Sequence, residues 1–199
     1  LALAPFTKYY YSKHAIDFCQ SRRTWIYALT MAGNLLHYQR YGNLVRFMCF
    51  NNLCNTSGQS CIEVSKEETI LTASGILLQH MARTKASRPL RIEGYEPDSL
   101  KSVEVQVSWD ENRTCLVIHL VNKCDQATPV TLDFSRLNCR FSSFRSTLLY
   151  AENGAVQETI RSHNNIRQET RYGSISCAYP CTFEAPAFSF SEIVLFEDE

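Results

Sequence analysis
The sequence predicts an α/β segment followed by an all-β antiparallel sandwich. Three observations carry that reading. Apolar residues recur at helical spacing between Thr24 and Tyr41, a second helical pattern opens at Thr72, and strict apolar–polar alternation begins at Val103. In the first helical pattern Trp25, Ala28, Leu29, Ala32, Leu35 and Leu36 fall three and four apart, on one face. Ser21 or Thr24 can cap its start, and Gly42 can end it in a left-handed turn. Leu44 to Phe50 is a short apolar run with one charge, which reads as a buried parallel strand. Thr72 then caps a helix running to about Arg83, with Ile76, Leu77, His80 and Met81 on its face. With a strand at Ala15 to Cys19, residues 15 to 83 read strand, helix, strand, helix. That is the order of a parallel sheet or barrel, but two strands cannot close a barrel of about eight.

From Pro89 the pattern changes. Val103, Val105, Val107 and Trp109 alternate with polar residues, as in a strand with one buried face. Leu116 to Val121 follows a turn and completes a hairpin. Val130, Leu132 and Phe134 alternate again, and Ser146 to Tyr150, Gly173 to Ala178 and Phe188 to Phe196 are further strands. Short strands joined by polar turns indicate a sandwich. The boundary falls between Ser87 and Glu93, giving domains at 1–87 and 88–199.

The 199 residues are 45% hydrophobic and carry 20 basic and 20 acidic groups, for zero net charge. That composition supports a packed core and lacks the surplus of Lys and Arg that nucleic acid demands. The charge is unevenly spread. Six bases and Asp17 alone precede Glu63, the first glutamate, whereas the tail from Phe183 is wholly acidic. This reads as two solvated faces of opposite sign or as a basic surface for an acidic partner chain. No apolar run approaches the ~20 residues of a membrane-spanning helix. The start, Leu1-Ala2-Leu3-Ala4, lacks the basic and long apolar regions of an export signal.

Nine cysteines are many for a reducing compartment, and none has C-x-x-C spacing, so neither a metal site nor a redox motif is indicated. Cys177 and Cys181 flank Pro180 closely enough to close a small disulfide loop. Sequons stand at Asn55 and Asn112, the latter in a polar turn between strands. Cysteines and sequons together point to a secreted or lumenal protein. No cofactor-binding loop is present among seven glycines, and no Ser/His/Asp arrangement can be inferred from His14, His37, His80, His119 and His163, which read as structural or surface residues.

The order and spacing of several segments resemble the C-terminal half of the α-L-arabinofuranosidases of glycoside hydrolase family fifty-one. The helix with Ala28-Leu29 and Leu35-Leu36, then Arg40, Val45 and Asn52-Leu53-Cys54-Asn55, resembles barrel helix seven and strand eight. Val117-Ile118-His119-Leu120-Val121-Asn122-Lys123, then Val130-Thr131-Leu132-Asp133, resembles the sandwich core, and Ala185-Pro186-Ala187-Phe188-Ser189-Phe190 the closing strand. The resemblance implies the last two βα units of a (β/α)8 TIM-type barrel, then a β-sandwich. It also implies a second chain or upstream segment supplying barrel strands one to six, because the isolated units would leave apolar side chains in water at roughly 1.5–3 kcal/mol each.

Retaining hydrolysis uses two carboxyl groups about 5–5.5 Å apart. The resemblance places the acid/base on an earlier strand and the nucleophile, normally a glutamate, where this sequence has Ile16-Asp17-Phe18-Cys19. Aspartate is shorter by one C–C bond, ~1.5 Å. A displacement of about 1 Å already costs on the order of a hundredfold in rate. Asp17 is therefore expected to be a degenerate nucleophile position in an inactive subunit. The alternatives are a shifted but active site, or an unrelated capping or surface carboxylate. Asn51, Asn52 and Asn55 follow the eighth strand, where barrel enzymes place functional loops, and can hydrogen-bond a sugar or simply form the loop. Tyr9, Tyr10 and Tyr11 can stack on sugar rings or on a partner.

Overall fold
The computed structural model describes residues 22–42, 44–45, 47–49, 53–55, 60–84, 88–95, 103–110, 112, 114–175 and 180–197. Helix α1 spans Trp25–Arg40 and buries Trp25, Ala28, Leu29, Ala32, Gly33 and Leu36, the predicted face with Leu35 only half covered. Its first amides do not use a Thr24 side-chain cap. Trp25 N–H and Ile26 N–H donate instead to the carbonyls of Val156 (2.7 Å) and Gly154 (2.9 Å), so a distant loop satisfies the helix start. The expected left-handed Gly42 is not formed. The helix closes with tight turns, Tyr41 N–H to Tyr38 O (3.0 Å) and Gly42 N–H to Gln39 O (3.1 Å), and Gly94 is the described glycine with positive φ.

The next expectation is corrected too. Leu44, Val45, Phe47 and Met48 belong to no strand and are exposed, Phe47 by 81%. A parallel strand hides an apolar run only between two neighbours, and none of the described residues pairs with this one. The strands between the helices are instead an antiparallel hairpin, β1 (Ile62–Val64) and β2 (Thr69–Leu71), with Ile62 opposite Leu71. The proposed strand at Ala15 to Cys19 lies outside the described residues. Helix α2 spans Ala73–Arg83, and Thr72 caps it as read. The Thr72 hydroxyl accepts from Gly75 N–H (3.3 Å) and donates to Ser60 O (2.6 Å).

Beyond α2 the chain is antiparallel. Strands β3 (Arg88–Pro89), β4 (Glu104–Trp109), β5 (Cys115–Asn122), β7 (Phe141–Tyr150), β8 (Arg167–Ser174) and β10 (Ser189–Glu197) form one sheet, in the order β3-β4-β5-β10-β7-β8. The β4–β5 hairpin pairs Trp109 with Leu116 through Glu104 with Val121, as the alternation predicts. Strands β6 (Thr128–Leu132) and β9 (Cys181–Ala185) make a second, two-stranded sheet. Val103, Val105, Val107, Leu116, Ile118, Leu120, Phe141, Ile193 and Leu195 fill the core between the sheets with Leu132, Cys181 and Ala185.

On β4, β5 and β10 the other face of the large sheet is buried too, contrary to the one-faced strand predicted for β4. Residues paired across a ladder share a face. One such row is Glu104, Val121, Phe190 and Leu149, and the next is Gln106, His119, Glu192 and Thr147. Helices α1 and α2 lie over this face, where Trp25, Leu29, Leu36, Ala73 and Leu77 form one core with Val121, Leu149 and Phe190. The molecule is thus mixed α and β, with two helices over an antiparallel sheet and a small sheet beneath.

Candidate functional site
Asp17, Asn51, Asn52, Tyr9 to Tyr11 and Cys177 lie outside the described residues. Asn55 is described, and both polar atoms of its side chain are engaged. Nδ2 donates to Val64 O (3.0 Å), and Oδ1 accepts from Val64 N–H (2.7 Å). Its φ of 50° is a left-handed conformation that asparagine tolerates. Asn55 therefore ties the loop before the hairpin to β1. Asn112 is exposed in the β4–β5 turn, organised by Asp110, which accepts from Asn112 N–H, Thr114 Oγ1 and Cys115 N–H. Those donors outweigh burial and hold the Asp110 carboxyl below its ordinary value. Cys49, Cys54, Cys61 and Cys115 are thiols in no disulfide, and burial raises the pKa of Cys61 and Cys115.

What the structure brings together is a group that linear reading does not find. Glu192, on central strand β10, is 2% exposed. Its Oε2 accepts from Thr84 Oγ1, just past α2 (2.5 Å), and lies 3.3 Å from His119 Nε2 on β5. Its Oε1 receives Arg145 Nη2 from β7 (3.3 Å) and lies 3.7 Å from His80 Nε2 on α2. Both imidazoles pack against Phe190, at centroid distances of 5.8 Å for His80 and 5.5 Å for His119. Burial pushes the Glu192 pKa up, but the hydrogen bonds from His119 and Thr84 and the facing imidazoles win, so it lies below the ordinary value. Burial also depresses His80. Glu192 opposes that, while His119, Arg83 and Arg145 reinforce it.

A histidine–carboxylate pair can serve catalysis, but this one does not have the required geometry. The Thr84 hydroxyl gives its proton to Glu192, not to an imidazole, so no activated nucleophile results. The cluster fastens α2 to the sheet.

A second polar group fastens α1. Arg40 donates to Gln106 Oε1 (3.1 Å) and Val105 O (2.5 Å), approaches Glu104 (3.9 Å), and stacks over the Tyr95 ring at 4.9 Å. Lys123 and the Tyr95 hydroxyl also reach Glu104 (3.4 and 3.1 Å). Further along, Glu63 joins Arg23 (2.7 Å) to Ile160 N–H (3.0 Å). On the opposite side a cleft of about 480 Å³ lies between residues 90–93 and the end of β6. Its floor is Val107, Leu132 and Phe134, and its mouth carries the Arg136–Glu93 pair (2.6 Å).

An arabinose-bound α-L-arabinofuranosidase, MgGH51, superposes with a TM-score of 0.77 over 88% of this chain, at 18% identity. The arabinose complex of the Thermotoga maritima enzyme gives 0.67 over 87% at 14%, and the thermostable enzyme of Thermotoga petrophila RKU-1 gives 0.69 over 85% at 16%. The fold is that of part of a GH51 α-L-arabinofuranosidase. The chain spans 28%, 38% and 37% of those three proteins, consistent with the C-terminal half that the sequence resembles. No protein-family model matches the sequence, and no curated protein matches it. The GH51 likeness thus lives in three-dimensional arrangement, which persists after sequence identity has fallen below 20%.

Proposed function
We propose that this chain is an arabinofuranosidase-like subunit, catalytically inactive, with a structural or carbohydrate-binding role in a larger secreted or lumenal assembly. The observation that carries the proposal is the shared fold, with 88% of this chain matching only 28% of an arabinose-bound GH51 enzyme. In this reading residues 1–87 are the end of a TIM-type barrel whose other strands come from a second chain or an upstream segment. The exposed run Tyr38, Tyr41, Leu44, Phe47, Met48 and Leu53 supports it, since such a run marks a surface that another apolar surface covers. Inactivity rests on Asp17, whose shorter side chain withdraws the carboxylate from the place where the family's glutamate attacks.

The test is to copurify the full chain with what it binds and assay an aryl α-L-arabinofuranoside. A barrel-forming partner and no turnover are expected. The alternative is the C-terminal chain of an active two-chain retaining α-L-arabinofuranosidase. Turnover that Asp17→Asn abolishes would establish it and overturn the first reading. A glycan array probed with the assembly separates a carbohydrate-binding role from a purely structural one.

A further inference from the structure
We propose that the Glu192 cluster is an acid-released latch between α2 and the sheet, closed at neutral pH and opened by protonation of His80. Four elements meet at Glu192. Strand β10 supplies the carboxylate, β5 His119, β7 Arg145, and α2 His80 and Arg83, with Thr84 following. On β4 the neighbour in the same row is Gln106, which is neutral, and Thr147 occupies the β7 position opposite Glu192. The carboxylate is therefore the single anion among these groups, and Arg145 already meets it. A proton on His80 adds a cation to a place that already holds Arg145 and Arg83 nearby. It does so on a ring whose buried Nε2 has no hydrogen-bond partner, lies 3.7 Å from Glu192 Oε1, beyond hydrogen-bond reach, and whose edge meets Phe190. Burial of the ring opposes its charging most, Glu192 favours it, and His119, Arg83 and Arg145 oppose it again, so the net effect disfavours the proton and relief comes when α2 lifts and lets His80 reach water.

The His80 displacement supports the direction. Its pKa is lowered from the ordinary 6.5, so the open state takes the proton at higher pH than the closed state. Closure is then favoured fully above 6.5 and is lost progressively as pH falls toward the depressed closed-state value. Each unit of displacement is worth about tenfold in the opening equilibrium.

The experiment is backbone hydrogen exchange on the full chain at about pH 7.5 and about pH 5.5, corrected for the intrinsic pH dependence of exchange. The amides of Ala73–Arg83 are expected to lose protection severalfold at the lower pH while those of β4 and β5 keep theirs. In His80→Gln the pH difference in α2 disappears. Arg83→Gln, an exposed change that leaves the core intact, removes one opposing cation and shrinks the acid loss. Equal α2 protection at both pH values in the unaltered chain overturns the latch. So does a pH difference that persists in His80→Gln. If His80→Gln does not fold, an unchanged acid loss in Arg83→Gln overturns it alone.

Discussion
Gly75 sits against the main chain of Cys61 so closely that a Cβ at position 75 would lie 2.0 Å from the Cys61 carbonyl oxygen. The contact joins the first turn of α2 to the entry of β1, and the same carbonyl accepts Thr72 N–H at 3.0 Å. Gly75→Ala is expected to be destabilising despite alanine's better helix propensity, by about 1–3 kcal/mol or more, because backbone and not a flexible side chain must move. Urea denaturation of the purified variant measures it. Stability at or above that of the unaltered chain would show that the contact is looser than described.

Glu192 links acidity to folding. Its carboxyl pKa is lowered from the ordinary 4.5 on folding, so its contribution is present above 4.5 and is lost as pH falls through the folded-state value. Glu192→Gln keeps one acceptor but strands Arg145 without its charge partner. It is expected to cost about 2–4 kcal/mol at neutral pH, discounted from the fully buried case because Arg145 is partly solvated. The urea midpoint of the variant should also depend less on pH below 5 than that of the unaltered chain. The measurement is the midpoint against pH for both proteins.

Asn55 carries two separable effects. Asn55→Gly keeps the left-handed backbone but loses both bonds to Val64, whereas Asn55→Ala loses the bonds and adds strain of roughly 1–2 kcal/mol. Alanine is therefore expected to be the worse replacement by about that amount. Thermal unfolding of the pair decides, and equal melting temperatures would place the backbone outside the left-handed region.

Trp25 is fully buried at the start of α1, and its indole N–H donates to Phe188 O at 2.6 Å. Trp25→Ala is expected to cost about 3–5 kcal/mol, and Trp25→Phe less, chiefly through the unpaired carbonyl. Guanidinium denaturation of both variants gives the order.

Where a fold feature is local, the sequence reveals it. The helical spacing of Trp25 to Leu36, the Thr72 cap and the β4–β5 register each depend on residues a few positions apart. The strand at Leu44 to Phe50 fails because burial of such a run depends on neighbours that the run does not encode. Alternation in β4 says which residues share a face but not what covers it, so the solvent side assigned to Glu104 and Gln106 is in fact beneath α1, and Ser108 beside them is buried as well. β9 is missed because five residues, Cys181–Ala185, carry too little pattern of their own. The Glu192 group is invisible for a topological reason. Residues 80, 119, 145 and 192 meet only once the order β5-β10-β7 and the placement of α2 are known. For Asn55 the sequence leaves open sugar binding or loop formation, and only the structure reveals its pairing with Val64.

Because helices cover one side of β5 and β10 and the small sheet the other, Leu116 to Asn122 and Ser189 to Leu195 are buried on both sides. A change at Phe190 must be answered in α1 or α2, and a change at Ile193 in the small sheet. Substitution is expected to be borne best in the turns and on the outer strand β8, where Tyr172 is 76% exposed. The centre of the molecule therefore answers to substitution as a unit.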